Sequence, residues 1–270
     1  MYKVVSLHFT NDCNFDCPFC YREKGTELMD KELFLGLPRH LKDVTEQVAL
    51  GGGEPTLYPN LVENFAKECK EYDLICNVTT NGYLFREWNE EETERFCKDL
   101  TMVSVSLDEA KYKQWRDGNE FLDTCKKLQK HTLVGCNLLT DQDLFLNGHL
   151  IKMADRLFER GLDRVFSLYP KNFTGPDIIP HKNYYLYLST RYPDFYVDDL
   201  TYNILDEEKY KDWSKPCHYG KDIVSINEKG EVAGCSFCDD YKLKLKEPKD
   251  ILKIEDVDFE DRYSCPYIVR

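Results

Sequence analysis

Seven of the twelve cysteines in this 270-residue chain fall into two groups whose spacing suits metal binding. The first is Cys13-Asn14-Phe15-Asp16-Cys17-Pro18-Phe19-Cys20-Tyr21, a CxxxCxxC spacing on a turn-forming stretch that lets three thiolates face one point. A four-iron cluster ordinarily takes four cysteine ligands, so three would leave one iron open to a substrate or cofactor, much as a catalytic zinc keeps an exchangeable position. Zinc is the alternative occupant. It would need a fourth ligand from elsewhere, such as His8, and zinc sites usually show paired CxxC spacing.

The second group is Cys217, Cys235, Cys238 and Cys265. Between the first two, Ile223 to Ile226 and Glu231 to Cys235 read as strands around Asn227-Glu228-Lys229-Gly230, with glycine at the left-handed turn position. Such a hairpin brings Cys217 and Cys235 together, and Cys238 and Cys265 can complete four thiolates around an iron-sulfur cluster or a zinc ion. His218 adjoins the set, either as a substitute ligand or as a hydrogen-bonding neighbour. Cys69, Cys76, Cys97, Cys125 and Cys136 stand singly in apolar patterns, as small buried hydrophobes do. A disulfide framework is opposed by the chain length, the spacing and the lack of a signal segment.

Polar motifs follow strand-like runs. Gly51-Gly52-Gly53-Glu54-Pro55-Thr56 combines glycines, which expose backbone groups, with an anion able to pair with an ammonium; a plain glycine-rich turn is the simpler reading. Thr79-Thr80-Asn81-Gly82 and Val103-Ser104-Val105-Ser106-Leu107-Asp108 place hydroxyls and a carboxylate at strand ends, where capping competes with ligand binding.

The elements that must carry these motifs are six β-branched runs: Lys3 to Phe9, Gln47 to Leu50, Leu74 to Thr79, Met102 to Leu107, Leu133 to Leu139 and Arg164 to Leu168. Apolar residues at helical spacing lie between them, such as Leu61, Val62 and Phe65, or Leu150, Met153, Ala154 and Leu157. Strand starts one βαβ unit apart predict parallel strands with helical crossovers, hence an α/β fold: a partial (β/α)6 TIM-like barrel with ligands at the C-terminal strand ends, plus a small cysteine-rich hairpin. Residues 1–205 are expected to form the core domain and 206–270 the extension. From Asn172 to Trp213 the periodicity fails and aromatics crowd, which predicts a connector or lid, or more simply a helix and loop whose rings pack against the barrel.

The cysteine loop resembles the signature of the radical S-adenosylmethionine (SAM) superfamily, and the glycine-rich and Thr-Asn-Gly segments are similar to that family's GGEP and TNG motifs. The resemblance implies a [4Fe-4S] cluster on Cys13, Cys17 and Cys20, with the SAM amino and carboxylate groups on the fourth iron. It further implies that Gly52, Gly53, Glu54 and Pro55 hold the methionine end of SAM. Phe19, Thr80, Asn81, Ser104, Ser106, Asp108, Asn137 and Leu168 become candidate contacts to the rest of it. The Cys217 to Cys235 spacing resembles the SPASM and twitch extensions of the same enzymes. Four cysteines rather than seven bring it closer to the twitch type, although the tight pair here, Cys235 and Cys238, stands earlier than usual. That resemblance implies a second, auxiliary iron-sulfur cluster, with zinc as the alternative.

The activity so implied is reductive cleavage of SAM to a 5′-deoxyadenosyl radical that abstracts a substrate hydrogen, served by a flavodoxin- or ferredoxin-type electron donor. The expected substrate is a peptide; a small aminocyclitol-like molecule undergoing dehydrogenation is the second reading. A non-catalytic metal-binding protein is the third, opposed by the intact Cys13, Cys17, Cys20 and Glu54. With 49 acidic against 36 basic residues and a net charge of −13, the chain would repel a phosphate backbone, so nucleic acid is excluded as a partner. No apolar run approaches a bilayer span and Met1-Tyr2-Lys3 leads straight into a strand, so a cytoplasmic protein without a membrane partner is expected.

Overall fold

A computed structural model describes residues 1–145, 148–171, 175–206 and 218–260. Among these residues ten strands form one sheet: β1 Val4–His8, β2 Gln47–Gly51, β3 Ile75–Thr80, β4 Met102–Leu107, β5 Leu133–Leu139, β6 Arg164–Leu168, β7 Phe195–Val197, β8 Ile223–Ile226, β9 Glu231–Ala233 and β10 Leu243–Lys244. Their spatial order is β10-β9-β8-β1-β2-β3-β4-β5-β6-β7. Strands β1 to β7 are parallel, β8 joins β1 in parallel, and β9 and β10 are antiparallel. The result is the α/β, parallel-strand architecture expected, with further strands at each side.

Side-chain alternation gives the sheet two chemically distinct faces. Val5, Leu7, Val48, Leu50, Cys76 and Val78 are buried towards the helices. The helix Pro59–Glu71 packs there through Val62, Phe65, Ala66 and Cys69, one stripe at i, i+3, i+4 and i+7. The Cys69 thiol hydrogen-bonds Cys76 of β3, fixing which face the helices cover. Phe9, Phe34 and Phe65 stack with centroids 4.7 and 4.5 Å apart, docking the helix Lys31–Gly36 on the same core; each such buried ring contributes roughly 1.5–3 kcal/mol. Side-chain caps start several crossover helices, as where Asn89 and Glu92 form a capping box at Glu90–Cys97. The opposite, inward face carries Ser6, His8, Ala49, Gly51, Asn77 and Thr79, and is far more polar.

Two features differ from expectation. The described part of the aromatic stretch holds, besides the packed helix expected, a seventh strand. Lys182–Arg191 is a helix burying Tyr185 and Leu188, β7 adds to β6, and Asp198 caps a further helix, Asp199–Leu205. A three-residue strand is too short to display an alternation, and two buried positions in ten make a faint stripe. The C-terminal pair β8 and β9 also continues the main sheet through β1 instead of standing apart from it. Asn227 shapes the β8–β9 turn by accepting the N–H groups of Lys229 and Glu231 at 3.0 and 2.9 Å, and Gly230 closes it at φ +73°.

Candidate active site

The cysteine loop leaves β1 and is held by the strand ends beside it. Gly53 N–H donates to the Thr10 carbonyl and Glu54 N–H to the Asp12 carbonyl, each at 2.7 Å. This approach requires glycine. A Cβ on Gly52 would lie 2.3 Å from the Thr10 carbonyl oxygen, and one on Gly53 would lie 1.9 Å from that of Asp12. The Tyr58 hydroxyl donates to Asp12 at 2.9 Å, and the Asn81 amide to Asn14 at 2.8 Å, so the ends of β2 and β3 both grip the loop.

Glu54 ties those two strand ends together. Its carboxylate is buried and accepts from Thr56 N–H at 3.0 Å, the Thr56 hydroxyl at 2.5 Å, the Thr80 hydroxyl at 2.6 Å and Asn81 N–H at 2.7 Å. Burial raises its pKa while these donors pull it back. The motif's carboxylate thus has both oxygens engaged within the protein, with the Thr-Asn-Gly segment as its partner.

Cys13 and Cys17 are half-buried and Cys20 is exposed. Burial raises the Cys13 pKa and pushes Cys17 up to about 11. Each also feels neighbouring thiols: Cys13 that of Cys20, and Cys17 those of Cys13 and Cys20. Three thiols therefore share one small region, though among the described residues no three His, Cys, Asp or Glu side chains converge to metal-holding distance. The donor set fits an iron-sulfur cluster, since these groups become thiolates readily only when a metal stabilises them. His8, the imidazole a zinc site would have borrowed, instead pairs its Nε2 with the Ser6 hydroxyl at 3.0 Å.

Lys111 is a neighbour of the loop that sequence reading overlooked. Its backbone N–H donates to Asp108 at 2.8 Å, its ammonium pairs with the same carboxylate, and it lies 5.1 Å from the Phe19 ring centroid. It also favours the Cys17 thiolate while Asp108 opposes it. The i, i+3 spacing of opposite charges just past β4 was the available signal.

The remaining candidates share the inward face. Thr79 pairs with Ser104 and Ser104 with Gly135; Ser106 pairs with Asn137 and Asn137 with Phe166; Leu139 pairs with Leu168. Gly135 makes room for its neighbours, because a Cβ there would lie 2.8 Å from the Phe166 ring and 3.3 Å from Ser104 Oγ. Phe166 in turn stacks on Tyr196 of β7, with centroids 5.3 Å apart. Pro55 is buried at the start of the short 3-10 turn Pro55–Leu57. A cavity of about 200 Å³ opens beyond β4 and β5, lined in part by Asp108, Tyr112, Asp141 and His149.

The C-terminal pair lies against the first loop. Cys238 N–H donates to the Cys235 carbonyl at 3.1 Å, and the Cys235 thiol pKa is drawn down to about 6 by a hydrogen bond from Cys238, with Lys171 a further cause. Between the two cysteines, Phe237 packs on Tyr21 at 4.1 Å, and Lys171 lies 4.4 Å from the Phe237 centroid. Arg22 forms a mostly buried ion pair with Glu228 in the β8–β9 turn. Cys217 and Cys265 lie outside the described residues, and His218 is engaged with Asp222 at 2.5 Å.

Residues 7–141, half of the chain, match the family model of the Radical SAM superfamily. Curated relatives include GTP 3',8-cyclase of Campylobacter jejuni, 32% identical over 120 residues that cover 41% of this chain and 37% of the relative. The Haemophilus influenzae GTP 3',8-cyclase is 29% identical over 171 residues, covering 60% of this chain and 49% of the relative. The chain thus spans less than half the length of these relatives. Among solved structures, Streptococcus suis SuiB bound to S-adenosylmethionine superimposes with a TM-score of 0.74 at 17% identity, covering 98% of this chain and 67% of SuiB. BtrN in complex with AdoMet and 2-DOIA gives 0.50 at 15% identity, over 96% of this chain and 81% of BtrN. At such identities the likeness is one of fold.

Proposed function

The chain belongs to the radical SAM superfamily, and from that premise we propose that it uses SAM and a [4Fe-4S] cluster on Cys13, Cys17 and Cys20 to abstract a hydrogen from a peptide substrate. The observation that carries the reading is the thiol loop gripped by the glycine cradle, since no side chain other than hydrogen fits where Gly53 meets Asp12. Cys13, Cys17 and Cys20 would hold the cluster, which would supply the one electron, itself drawn from an external donor, for reductive cleavage of the SAM C5′–S bond to methionine and a 5′-deoxyadenosyl radical.

The chain's own residues supply position. Glu54 holds the β2 and β3 ends at one spacing, so the backbone groups of Gly52 and Gly53 and the side chain of Asn81 meet the cofactor as a fixed set. Lys111, paired with Asp108, lies beside Cys17 and favours its thiolate, an effect that Asp108 opposes. Ser104, Ser106 and Asn137 offer hydrogen bonds to a ribose, and Leu168 an apolar surface to a base. Asp108 lines the cavity, and its partner Lys111 lies over the Phe19 ring. Cys235 and Cys238, with Cys217 and Cys265, are assigned to an auxiliary iron-sulfur cluster beside the first loop, with residues 206–270 as its extension. A peptide substrate is supported by the fold shared with SuiB, which has been solved bound to its precursor peptide SuiA. The electron donor is assigned to the flavodoxin or ferredoxin class.

Anaerobically reconstituted protein, reduced with dithionite and given SAM, is expected to form 5′-deoxyadenosine. Cys17→Ala abolishes that product, a fall of more than a hundredfold, whereas Cys235→Ala keeps part of it as cleavage uncoupled from substrate. Equal and complete loss in both, with the fold intact by circular dichroism, contradicts the division of roles.

A further inference from the structure

The cavity at the ends of β4 and β5 has a chemistry that the assigned cofactor contacts leave unused. Leu107 and Leu138, paired across the two strands and almost wholly buried, form part of its wall. They continue the buried row of Val105 and Cys136, so the cavity lies to the helix side of the Ser106–Asn137 pair, to which cofactor contacts are assigned. Leu139, Leu144 and Met153 complete the apolar lining. Its acidic members are Asp108 and Asp141, the second set in place by the Leu144 N–H, which donates to it at 2.8 Å. Among the described residues no lysine or arginine lines it.

Size and polarity together select the occupant. At about 200 Å³ the space exceeds the roughly 150 Å³ in which an apolar cavity holds benzene, and falls short of the roughly 300 Å³ at which pockets for drug-sized ligands begin. One apolar group the size of a phenylalanine side chain fits, and it would cover leucine surface that otherwise meets water. Met153 suits such a guest, because its unbranched chain adapts and its sulfur favours an aromatic edge. A phosphate would instead be desolvated beside two carboxylates, with no cation in the lining to offset them. Asp108 also ties the cavity to the cysteine loop: its partner Lys111 lies 5.1 Å from the ring centroid of Phe19, which stands between Cys17 and Cys20. We propose that this cavity is a substrate-specificity pocket that takes one uncharged apolar group of about phenylalanine side-chain size, supplied by a peptide side chain or by a small free molecule. This deepens the substrate reading above and rests on it for what the pocket is for, but not for the binding itself.

The test uses the full chain with its cluster reconstituted, SAM present and the methionine methyl groups isotopically labelled for NMR. Of the four methionines, Met153 lines the cavity while Met29 and Met102 are buried elsewhere, so the methyl spectrum reads the pocket locally once Met153→Leu has assigned it. N-acetylphenylalanine methylamide is expected to shift the Met153 methyl and leave Met29 and Met102 in place. N-acetylglycine methylamide, which lacks the side chain, and GTP leave all three unchanged. Benzyl alcohol separates the sources: binding as tight as that of the phenylalanine amide assigns a free small molecule, and weaker binding assigns a peptide. Leu144→Trp fills the pocket and weakens phenylalanine binding at least tenfold. Should that variant fail to fold, Leu144→Ala, which enlarges the pocket, decides the same question by moving preference at least threefold towards N-acetyltryptophan methylamide. No Met153 shift with either aromatic probe, a shift with GTP, unchanged affinities in the folded variant, or displacement of SAM by the phenylalanine amide overturns the proposal. Loss of 5′-deoxyadenosine formation with the Met153 shift intact would instead remove the radical chemistry and leave the pocket standing.

Discussion

Glu54 and His8 are both buried and titratable, yet they do opposite things with burial. Glu54 is surrounded by donors and works as a bracket between strands. His8 keeps one nitrogen idle and is held neutral. That gives a pH dependence with a definite sign. Unfolded, His8 titrates near its ordinary value of 6.5; folded, it does so near 3. Below 6.5 the unfolded chain binds a proton that the folded chain refuses, so stability falls as pH falls from about 6.5 towards 3, at up to about 1.4 kcal/mol per pH unit. Urea denaturation of the cluster-free chain at pH 7 and pH 5 measures this. The wild type should lose roughly 1–2 kcal/mol more than His8→Phe over that interval, and identical slopes would show that His8 is not a buried neutral histidine. The residue types at Cys13, Cys17, Cys20, Gly53 and Glu54 were legible in sequence because chemistry or sterics permits few others. His8 was legible only as a spare zinc ligand, since its burial and the charge of Arg22 near it are set by segments distant in sequence.

Among elements, the β2 end and the cysteine loop are fitted so closely that one methyl group separates them. Gly53→Ala puts a Cβ inside van der Waals distance of the Asp12 backbone, which cannot rotate away as a side chain would. The variant should lose about 1–3 kcal/mol of stability and bind much less iron on reconstitution, both read on one preparation by denaturation and iron analysis. A second joint lies between the loop and the β8–β9 turn, where Arg22 and Glu228 are mostly buried together. Arg22→Met leaves the Glu228 carboxylate without its counter-charge and should cost about 3–5 kcal/mol, while Arg22→Met with Glu228→Leu recovers most of that loss. If the double variant is as unstable as the single one, the pair is not what closes this joint. Local patterns revealed β1 to β6 because each carries its own alternation and crossover helix. They were silent on β8 pairing with β1, a partnership across more than 200 residues that no local period encodes. They missed β7 because three residues hardly make a period.

Across the described residues, a single sheet brings the segments around β1 and around β8 and β9 to one place. The thiols after β1 and the Cys235–Cys238 pair after β9 meet through Tyr21 and Phe237, although more than 200 residues separate them. The helix-covered face supplies stability, and the inward face supplies hydroxyls, amides and small residues. No helix among the described residues is long and apolar enough to cross a membrane. The most direct measurement is electron paramagnetic resonance of the reduced, oxygen-free, reconstituted protein with and without SAM, on wild type and on a variant lacking Cys235 and Cys238. A centre at Cys13, Cys17 and Cys20 with an open iron should give a signal that shifts on SAM addition in both proteins. A signal that SAM leaves unchanged in both would contradict such a centre and the radical chemistry built on it.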